Sequence, residues 1–528
     1  MNQNLPNPLD PIVDICALDD ILPDTGVCAW LDGRQVAVFR VGDGEEIYAI
    51  GNYDANSGAN VLARGIVGDL GGRLVVASPI YKQHYDLKTG ECIEDPIASV
   101  RAYRAQVIDG RVRVTLPSGK TGNAGRKEHL VVIGNGMAAM RVVEELLRIA
   151  PELYDITVFG AEAHGNYNRI LLSPVLSGEK QVDEIMLNKR EWYARHGIAL
   201  HTSDPVVQIN RRERTVRAKS GYETKYDRIL LATGSNPFII PVPGNDLPGV
   251  VSFRDLQDVD AMLSAARHGK YAVVIGGGLL GLEAANGLMR QGMKVTVVHL
   301  MDSLMERQLD KHASAMLKAS LESRGLNFVM PAQTEEILGH ERVIGVRFKD
   351  DSVIPADLVV MAVGIKPNIE LAQRSGLRCE RGVIVDDTLQ TFDPRIYAVG
   401  ECVQHRNATY GLVAPLWEQA NVCATHLAQM GFAHYKGSIT STKLKVTGID
   451  LFSAGDFMGG EGTEDLVMRD PKRGVYKRLV IKDNRIKGAV LFGDVADGSW
   501  YFELMQKKQD ITPIRQKLLF GKAFCEPA

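Results

Sequence analysis

The stretch "HLVVIGNGMAAMRVVEELLRIA" (residues 129–150) decides the fold class of this chain. It consists of a continuous apolar strand, a glycine turn and a segment with apolar residues at helical spacing. The same pattern returns at "YAVVIGGGLLGLEAANGLMRQG" (residues 271–292). A buried strand that leads through a glycine turn into a helix is typical of an α/β domain with a parallel sheet. Two such units predict two Rossmann-type dinucleotide-binding domains.

The first glycine turn has the spacing of a dinucleotide site. Gly134, Gly136 and Ala139 fit the pattern G-x-G-x-x-[GA]. The first glycine allows the tight turn, the second lets the backbone approach a pyrophosphate, and the small third residue lets helix and strand pack closely. The next strand, "DITVFGAE", ends at Glu162, which is a candidate partner for ribose hydroxyls. Glu162 comes later than the usual spacing of about 20 residues, which a long first helix explains.

The second turn carries Gly276, Gly278 and Gly281. The strand after it, "KVTVVHLM", has His299 at the position where a carboxylate favours NAD and a nearby arginine favours NADP. His299 is therefore a candidate cofactor-binding residue, and the alternative is a solvated residue at the end of a strand. The choice between NADH and NADPH stays open.

Two further segments separate a two-nucleotide flavoprotein from a simple dehydrogenase. In "YDRILLATGSNP" (residues 226–237), Thr233 and Gly234 follow an apolar strand, where such chains return between the two nucleotide domains. In "TFDPRIYAVGEC" (residues 391–402), Gly400 lets the backbone approach a flavin, and Glu401 is a candidate hydrogen-bond partner of its ribitol chain. Each segment alone also fits a plain strand and turn. The order of all four segments predicts an FAD-dependent protein.

Composition excludes several other classes. A chain of 528 residues is too long for one core, and its 45% apolar and 24% charged residues are those of globular protein. A net charge of −3 gives no reason to expect nucleic acid or an acidic membrane as partner. The first residues lack the features of a signal peptide, and no apolar run approaches the roughly 18 residues of a spanning helix. The seven cysteines include no C-x-x-C pair. We therefore expect a cytoplasmic protein without a metal site.

The first 118 residues contain short β-branched runs separated by turns, which predict a small all-β domain. Within it, "NYDANSGANVLARGIVGDLGGRLVVASPIYKQHYDLKTGE" (residues 52–91) resembles the two ligand loops of a Rieske iron–sulfur domain. Asp54 and Asn56 stand at the first Cys and His positions, and Ser78 and Tyr81 stand at the second pair. A Rieske cluster takes thiolates and imidazoles. No iron–sulfur cluster is therefore expected.

Four further segments carry a resemblance that covers nearly the whole chain: "HGNYNRILLSPVLSGE" (164–179), "HLMDSLMERQLD" (299–310), "YAVGECVQHR" (397–406) and "YKGSITSTKLKVTGIDLFSAGDF" (435–457). They resemble the pyridine nucleotide–disulfide reductase superfamily. Within it they are most similar to the flavin half of the large subunit of assimilatory NAD(P)H nitrite reductase. The front domain is similar to the small subunit of that family, and the combination is similar to the electron-transfer subunit of assimilatory nitrate reductases.

The resemblance extends the set of site residues. It adds Arg169 and Gly364 to the candidate cofactor-binding residues. Glu283 matches the family position that orients the nicotinamide amide, and the alternative is a helix carboxylate favoured by the helix dipole. "APLWEQA" (residues 414–420) begins a helix that in relatives points at the flavin. Trp417 on this helix is a candidate to cover the flavin ring, and the alternative is plain core packing.

The patterns and the resemblance together predict the following domains: a Rieske-like domain without cluster ligands (1–118), a linker (119–127), an FAD-binding domain in two segments (128–242 and 366–423), an NAD(P)H-binding domain (243–365), and a C-terminal α+β domain of the nitrite reductase interface type (424–528). In relatives the C-terminal domain packs at a dimer interface, which favours a homodimer.

The resemblance implies an enzyme with FAD and NAD(P)H. Hydride passes from NAD(P)H to FAD, and the flavin then releases electrons singly. The acceptor is a separate nitrate or nitrite reductase catalytic protein of nitrogen assimilation, and the Rieske-like domain either docks that acceptor or only stabilises the assembly. One alternative is a stand-alone NAD(P)H oxidase, peroxidase or diaphorase, although the segment at 164–178 has no peroxidatic cysteine. The other is a non-catalytic flavin redox sensor or docking scaffold.

Overall fold

A computed structural model describes residues 12–31, 34–116, 127–429, 433–444 and 448–525 of the chain. It contains an all-β region, two regions built on parallel sheets, and a C-terminal α+β region. The predicted fold class is thereby confirmed. Apart from Lys127, the predicted linker at 119–127 lies outside the described residues. The other domain boundaries stay predictions.

The N-terminal domain is antiparallel, and its central strand Arg34–Val41 shows why. Side chains alternate across a strand. Ala37 and Phe39 pack into one core, whereas Val36 and Val38 pack into a second core on the other face. The main sheet has the spatial order Ile12–Ala17, Arg111–Thr115, Ala102–Ile108, Glu46–Gly51, Arg34–Val41, Thr25–Leu31, and smaller sheets pair Ile66–Leu70, Arg73–Ala77 and His84–Asp86, and Tyr53–Asp54 with Ala59–Asn60.

The first parallel sheet shares one hydrophobic core with two long helices and with an antiparallel appendix, so its central strands are mostly buried. All four residues of Arg228–Leu231 are buried, as expected for a strand covered on both sides. The strand Ile396–Ala398 joins this sheet although it lies far along the chain. In spatial order the sheet contains Ala199–His201, Tyr154–Phe159, Glu128–Ile133, Arg228–Leu231 and Ile396–Ala398, with helices Met137–Ile149 and Val413–Leu427 and an antiparallel appendix of Val206–Asn210, Thr215–Ala218 and Glu223–Lys225.

The second parallel sheet repeats this design around the second glycine turn. Its central strand, Tyr271–Ile275, pairs in parallel with a strand on each side. In spatial order the sheet contains Val250–Ser252, Leu358–Met361, Tyr271–Ile275, Lys294–Val298 and Asn327–Val329, with helices Leu256–His268, Leu279–Arg290 and Lys311–Glu322 and an antiparallel appendix of Thr334–Gly339, Val343–Phe348 and Val353–Pro355.

The C-terminal sheet shares a hydrophobic core with the second parallel domain. Tyr476, Val490 and Phe492 belong to the same buried cluster as Leu317 of that domain. The Tyr476 hydroxyl also donates a hydrogen bond to the Asp310 carboxylate across 3.0 Å. The C-terminal sheet contains, in spatial order, Ser441–Lys443, Leu451–Gly455, Arg485–Phe492, Val475–Lys482 and Glu464–Asp470, followed by helices Gly498–Gln506 and Lys522–Cys525.

The remaining elements are short. None of the helices in the described ranges is long and apolar enough to cross a membrane. The short helices are Leu172–Leu176, Arg190–Arg195 and Glu370–Arg374, and the two-stranded pairs are Asn166–Tyr167 with Met186–Asn188, Ser235–Pro237 with Ile365–Pro367, and Val383–Val385 with Val403–His405.

The N-terminal domain contacts the first parallel sheet at the amino ends of its strands. The Asn60 amide donates to the Glu128 carboxylate across 3.2 Å. The Arg395 guanidinium donates to the carbonyls of Ser57 and Gly58 across 2.7 and 3.1 Å. A six-residue strand spans roughly 20 Å. These contacts are therefore separated from the glycine turn, at the carboxyl ends, by the full length of the sheet.

Candidate functional site

A cavity of about 740 Å³ lies at the carboxyl ends of the first parallel sheet. This is the edge at which open α/β sheets bind ligands, and the volume is typical of a small-molecule site. The cavity brings together ten of the sequence-predicted site residues: Gly134, Gly136, Ala139, Glu162, Arg169, Thr233, Gly234, Glu283, Gly400 and Glu401.

The first glycine turn brings backbone close to the cavity. Gly134 has a φ of +110°, and a Cβ there would lie 2.1 Å from the Ala232 carbonyl oxygen, so no side chain fits. The helix Met137–Ile149 begins after Gly136 without a side-chain cap. Its first N–H groups and the positive end of its dipole are therefore available to an anion. This arrangement fits the pyrophosphate of a dinucleotide.

The carboxylate at the end of the next strand is held in place by two neighbours. Glu162 accepts a hydrogen bond from the Tyr167 hydroxyl across 2.6 Å and forms an ion pair with Arg169. Burial raises the pKa of Tyr167, so its hydroxyl stays protonated and donates. Arg169 also donates to the backbone carbonyl of Arg254 across 3.0 Å. Glu162 thus lies on the cavity wall in a fixed orientation, which suits the predicted contact with ribose hydroxyls.

Glu401 lines the cavity, but its carboxylate already has protein partners. It forms an ion pair with Arg254 and accepts a hydrogen bond from Ser235 Oγ across 2.7 Å. Sequence reasoning missed Arg254, because its partner lies 147 residues away and no local motif marks it. Arg254 reaches this cavity from the second parallel domain and so links the two domains through charge. The predicted contact of Glu401 with a ribitol chain stays a prediction.

The second nucleotide unit contributes Glu283 to the same cavity. This side chain is 5% exposed, and its carboxylate accepts a hydrogen bond from Ser173 Oγ across 2.5 Å. Leu279 and Leu280 of the same helix also line the cavity. The cavity is therefore shared by both units, with Glu283 as the ionisable group from the second helix. Ser173 was missed by sequence reasoning because only the fold brings it near Glu283.

The second glycine turn and His299 lie outside the cavity wall, as does Gly364. Gly276 has a φ of +124°, and a Cβ there would lie 2.3 Å from the Ala362 carbonyl oxygen. A Cβ on Gly281 would lie 1.9 Å from the Gly276 carbonyl oxygen, so helix and turn pack as closely as the motif requires. Gly278 directly precedes the helix Leu279–Arg290. These residues form a second dinucleotide-type turn, in the second parallel domain.

Trp417 does not line the cavity. Its ring lies 5.9 Å from the guanidinium carbon of Arg141, whereas the neighbouring Leu416 faces the cavity. Consecutive residues of a helix point in directions about 100° apart, so the two side chains face different surroundings. The position of Trp417 therefore does not support the interpretation that it covers a flavin ring, which stays a prediction. The C-terminal domain instead supplies Lys443, a cation on the cavity wall that sequence reasoning missed.

The two cysteines near the predicted flavin-binding stretches are buried and free. Burial raises the pKa of the Cys402 and Cys423 thiols above the ordinary value. Both therefore stay protonated at neutral pH, and a protonated thiol is a poor nucleophile. These thiols fit the interpretation of small core residues.

The former ligand loops of the N-terminal domain are joined by hydrogen bonds. The buried Asp54 carboxylate accepts from Ser78 Oγ across 2.7 Å and from the Tyr85 hydroxyl across 2.9 Å. Burial opposes ionisation of Asp54, but the hydrogen bonds outweigh it and lower its pKa. Within the described ranges, no group of three or more His, Cys, Asp or Glu side chains is placed to hold a metal ion. A carboxylate, an amide and hydroxyls do not fit a [2Fe-2S] cluster.

Comparison with known proteins identifies the family. The model of the pyridine nucleotide-disulphide oxidoreductase family matches residues 128–429. The chain therefore belongs to this family of oxidoreductases, which supports FAD and NAD(P)H as its cofactors. Residues 12–115 match the Rieske-like [2Fe-2S] domain, and residues 441–509 match the C-terminal domain of rubredoxin NAD+ reductase. The resemblance to this superfamily and to assimilatory nitrite reductase, inferred from the sequence, is thereby confirmed.

Two curated proteins from Bacillus subtilis (strain 168) are similar to this chain. A nitrite reductase (NAD(P)H) is 51% identical over 386 residues, which cover 73% of this chain and 48% of the relative. An assimilatory nitrate reductase electron transfer subunit is 44% identical over 394 residues, which cover 75% of this chain and 51% of the relative. This chain thus spans about half the length of the curated relatives that it matches.

Among solved structures, a NAD-dependent persulfide reductase from A. fulgidus is similar, with a TM-score of 0.68 at 26% identity. The match covers 76% of this chain and 80% of that structure. The NADH:rubredoxin oxidoreductase from Clostridium acetobutylicum is also similar, with a TM-score of 0.62 at 25% identity. That match covers 74% of this chain and 97% of the oxidoreductase. Both comparisons agree with the parallel-sheet domains described above.

Proposed function

We propose that this protein takes electrons from NAD(P)H into FAD and passes them to a separate, metal-containing nitrate or nitrite reductase protein. The observation that carries this proposal is the shared cavity. The first glycine turn and Glu162 form part of its wall, and the helix of the second unit contributes Glu283. A flavin bound there would supply two-electron acceptance and one-electron release.

The protein's own residues would act by binding and orientation. The backbone of the first turn and the helix that begins at Met137 would hold a pyrophosphate. Glu162 would accept hydrogen bonds from the ribose hydroxyls. Glu283, fixed by Ser173, would accept a hydrogen bond from the carboxamide of a nicotinamide and so set its orientation. Position matters here because hydride transfer needs the reacting atoms in close, aligned contact.

The N-terminal domain is proposed to carry no iron–sulfur cluster. Its former ligand positions hold Asp54 and Ser78, which hydrogen-bond to each other instead. We propose that it serves docking of the acceptor or stability of the assembly. Its contacts on the amino ends of the first sheet leave the cavity, at the carboxyl ends, to the other domains. The similarity to a nitrate reductase electron transfer subunit supports a separate acceptor protein.

An anaerobic titration with NADH and then NADPH, followed by visible absorption, tests the proposal. We expect the flavin band to bleach, added nitrite to leave it bleached, and ferricyanide to restore it. Iron-dependent absorption that persists after bleaching would contradict the absence of a cluster. Restoration by nitrite would place the reductase chemistry on this chain, and restoration by air as fast as by ferricyanide would favour an oxidase.

The variant Glu283→Gln sharpens this test. It keeps the side-chain shape but weakens the hydrogen bond to the carboxamide, so bleaching should slow by about tenfold while flavin content stays unchanged. The matched control is Glu322→Gln, an exposed carboxylate on another helix of the same domain. If both variants bleach at the rate of the parent protein, Glu283 has no part in orienting the nicotinamide.

A further inference from the structure

The strand that follows the second glycine turn ends in an arrangement of charged side chains that the sequence motif does not predict. In dinucleotide-binding domains a carboxylate at this position receives the adenosine ribose. Here the position is occupied by His299, directly after the strand Lys294–Val298. The structure shows that a carboxylate nevertheless reaches the same place from the following loop.

His299 is committed to the protein on both ring nitrogens. Its side chain is 10% exposed, and its Nδ1 accepts a hydrogen bond from the Gly277 backbone N–H across 3.1 Å. A Cβ on Gly277 would lie 2.7 Å from the imidazole, so ring and turn are in direct contact. On the other side, His299 Nε2 lies 3.1 Å from the Glu306 carboxylate.

These two contacts fix the tautomer. Because the Gly277 N–H is a donor, Nδ1 must be the unprotonated acceptor. The proton therefore lies on Nε2, which donates to Glu306. A neutral imidazole with both nitrogens engaged offers no positive charge to a phosphate. His299 instead acts as a bracket that brings the Glu306 carboxylate to the end of the strand.

The Glu306 carboxylate remains open to a ligand. Its side chain is 32% exposed, and a carboxylate has acceptor capacity beyond a single hydrogen bond. The neighbouring charges are Asp302, which pairs with Lys311 across 3.1 Å, and the exposed Arg307. Arg307 follows Glu306 directly in the chain, and a cation at the ribose site would favour the 2′-phosphate of NADPH.

We propose that Glu306, held by His299, is the residue that selects NADH over NADPH. This inference rests on the proposed function, since it concerns the coenzyme that reduces the flavin. The carboxylate accepts hydrogen bonds from the ribose hydroxyls of NADH, and its charge repels the 2′-phosphate of NADPH. Glu306 is a specificity residue that touches the coenzyme, and His299 is a positioning residue that acts through it.

The test is the ratio of kcat/KM for NADH to kcat/KM for NADPH, measured on the full-length holoprotein with ferricyanide as acceptor. We expect the parent protein to prefer NADH by about tenfold or more, which is the size of one charged hydrogen bond. Glu306→Gln should lower kcat/KM for NADH, raise it for NADPH and so reduce the ratio by about tenfold. Glu306→Asp should retain the preference, since it keeps the charge.

The control is Arg307→Gln, which should leave the ratio within about twofold. A parent protein that prefers NADPH, or a ratio that collapses in Arg307→Gln, would overturn the inference. Equal losses with both coenzymes in Glu306→Gln would also overturn it, because they would show a structural role. If neither NADH nor NADPH bleaches the flavin of the parent protein, the proposed function itself fails, which is a different result.

Discussion

The two parallel-sheet domains contain the same strand, glycine turn and helix, but they differ at the end of the following strand. In the first domain Glu162 faces the cavity and is held by Tyr167 and Arg169. In the second domain the equivalent position holds His299, which contacts the Gly277 N–H of the turn through Nδ1 and the Glu306 carboxylate through Nε2. In the functions proposed above, the turn provides a phosphate-type site, whereas the residues after the next strand select the dinucleotide.

The two domains also differ in what is packed against them. The N-terminal domain contacts the first domain through polar groups such as Arg395 and Arg64, and Trp30 packs against the core of that domain. The C-terminal domain shares a buried apolar cluster with the second domain. Apolar burial stabilises a contact at every pH, whereas hydrogen bonds between ionisable groups depend on their protonation. We therefore expect the N-terminal contact to weaken first in acid.

The largest expected effect comes from breaking each turn separately. Gly134→Ala should give protein without bound flavin, because a Cβ would lie 2.1 Å from the Ala232 carbonyl oxygen at a φ of +110°. Gly276→Ala should retain flavin but lose reduction by NADH, since the equivalent clash lies in the second domain. Flavin content and the anaerobic bleaching rate measure the two outcomes. Gly68→Ala, where a Cβ meets no atom within 4 Å, is the control.

If Gly276→Ala also loses its flavin while remaining folded by circular dichroism, the assignment of one dinucleotide to each turn is wrong. The same holds if Gly134→Ala retains a full complement of flavin.

The next effect concerns the two strand-end carboxylates. Glu162→Gln should weaken flavin binding by about tenfold to a hundredfold, because it removes an ion pair with Arg169 and a charged hydrogen-bond acceptor. Glu306→Gln should leave flavin binding unchanged. Equilibrium dialysis with fluorescence detection of released flavin measures both. An equal loss of flavin in the two variants would remove the contrast between the domains.

A smaller effect should appear in the pH dependence of stability. Burial and the nearby Arg64 lower the pKa of His426 from about 6.5 to about 4. Its Nδ1 lies 3.2 Å from the Arg64 guanidinium, and its Nε2 lies 2.6 Å from the Ala433 carbonyl oxygen. Below about pH 6.5 the unfolded chain takes up a proton that the folded chain does not. The free energy of unfolding should therefore fall on acidification, by about 2 kcal/mol at pH 5.

Urea denaturation between pH 7 and pH 4.5 measures this slope, and His426→Gln is the comparison because it cannot titrate. We expect the parent protein to lose more stability than the variant over this range. Parallel slopes in the two proteins would show that His426 does not control the contact.

The smallest effect is expected at the rim of the N-terminal contact. Arg395→Ala removes two hydrogen bonds to the carbonyls of Ser57 and Gly58. The cost should be about 1 kcal/mol, seen as faster proteolysis of the N-terminal domain with unchanged flavin content. Arg73→Ala, which breaks an exposed ion pair with Glu91, is the control and should change little. Loss of flavin in Arg395→Ala would contradict a contact confined to the amino ends.

Local sequence patterns were sufficient for the turns but not for the groups that surround them. The two glycine motifs, Thr233 and Gly400 could be predicted because each depends on a strand and its next few residues. The pairing of Arg254 with Glu401 and of Ser173 with Glu283 could not, because the partners lie 147 and 110 residues apart. Such pairs exist only once two domains have packed, and no residue spacing encodes them.

The placement of the N-terminal domain has a consequence for how such chains can be assembled. Among the residues that the structure describes, those that line the cavity come from the range 134–443, and none of them belongs to the N-terminal domain. A truncated chain that begins near Lys127 would therefore keep its complete cavity wall. The front domain is in this sense separate from the cavity, and its removal would expose the amino ends of the first sheet rather than the cavity wall.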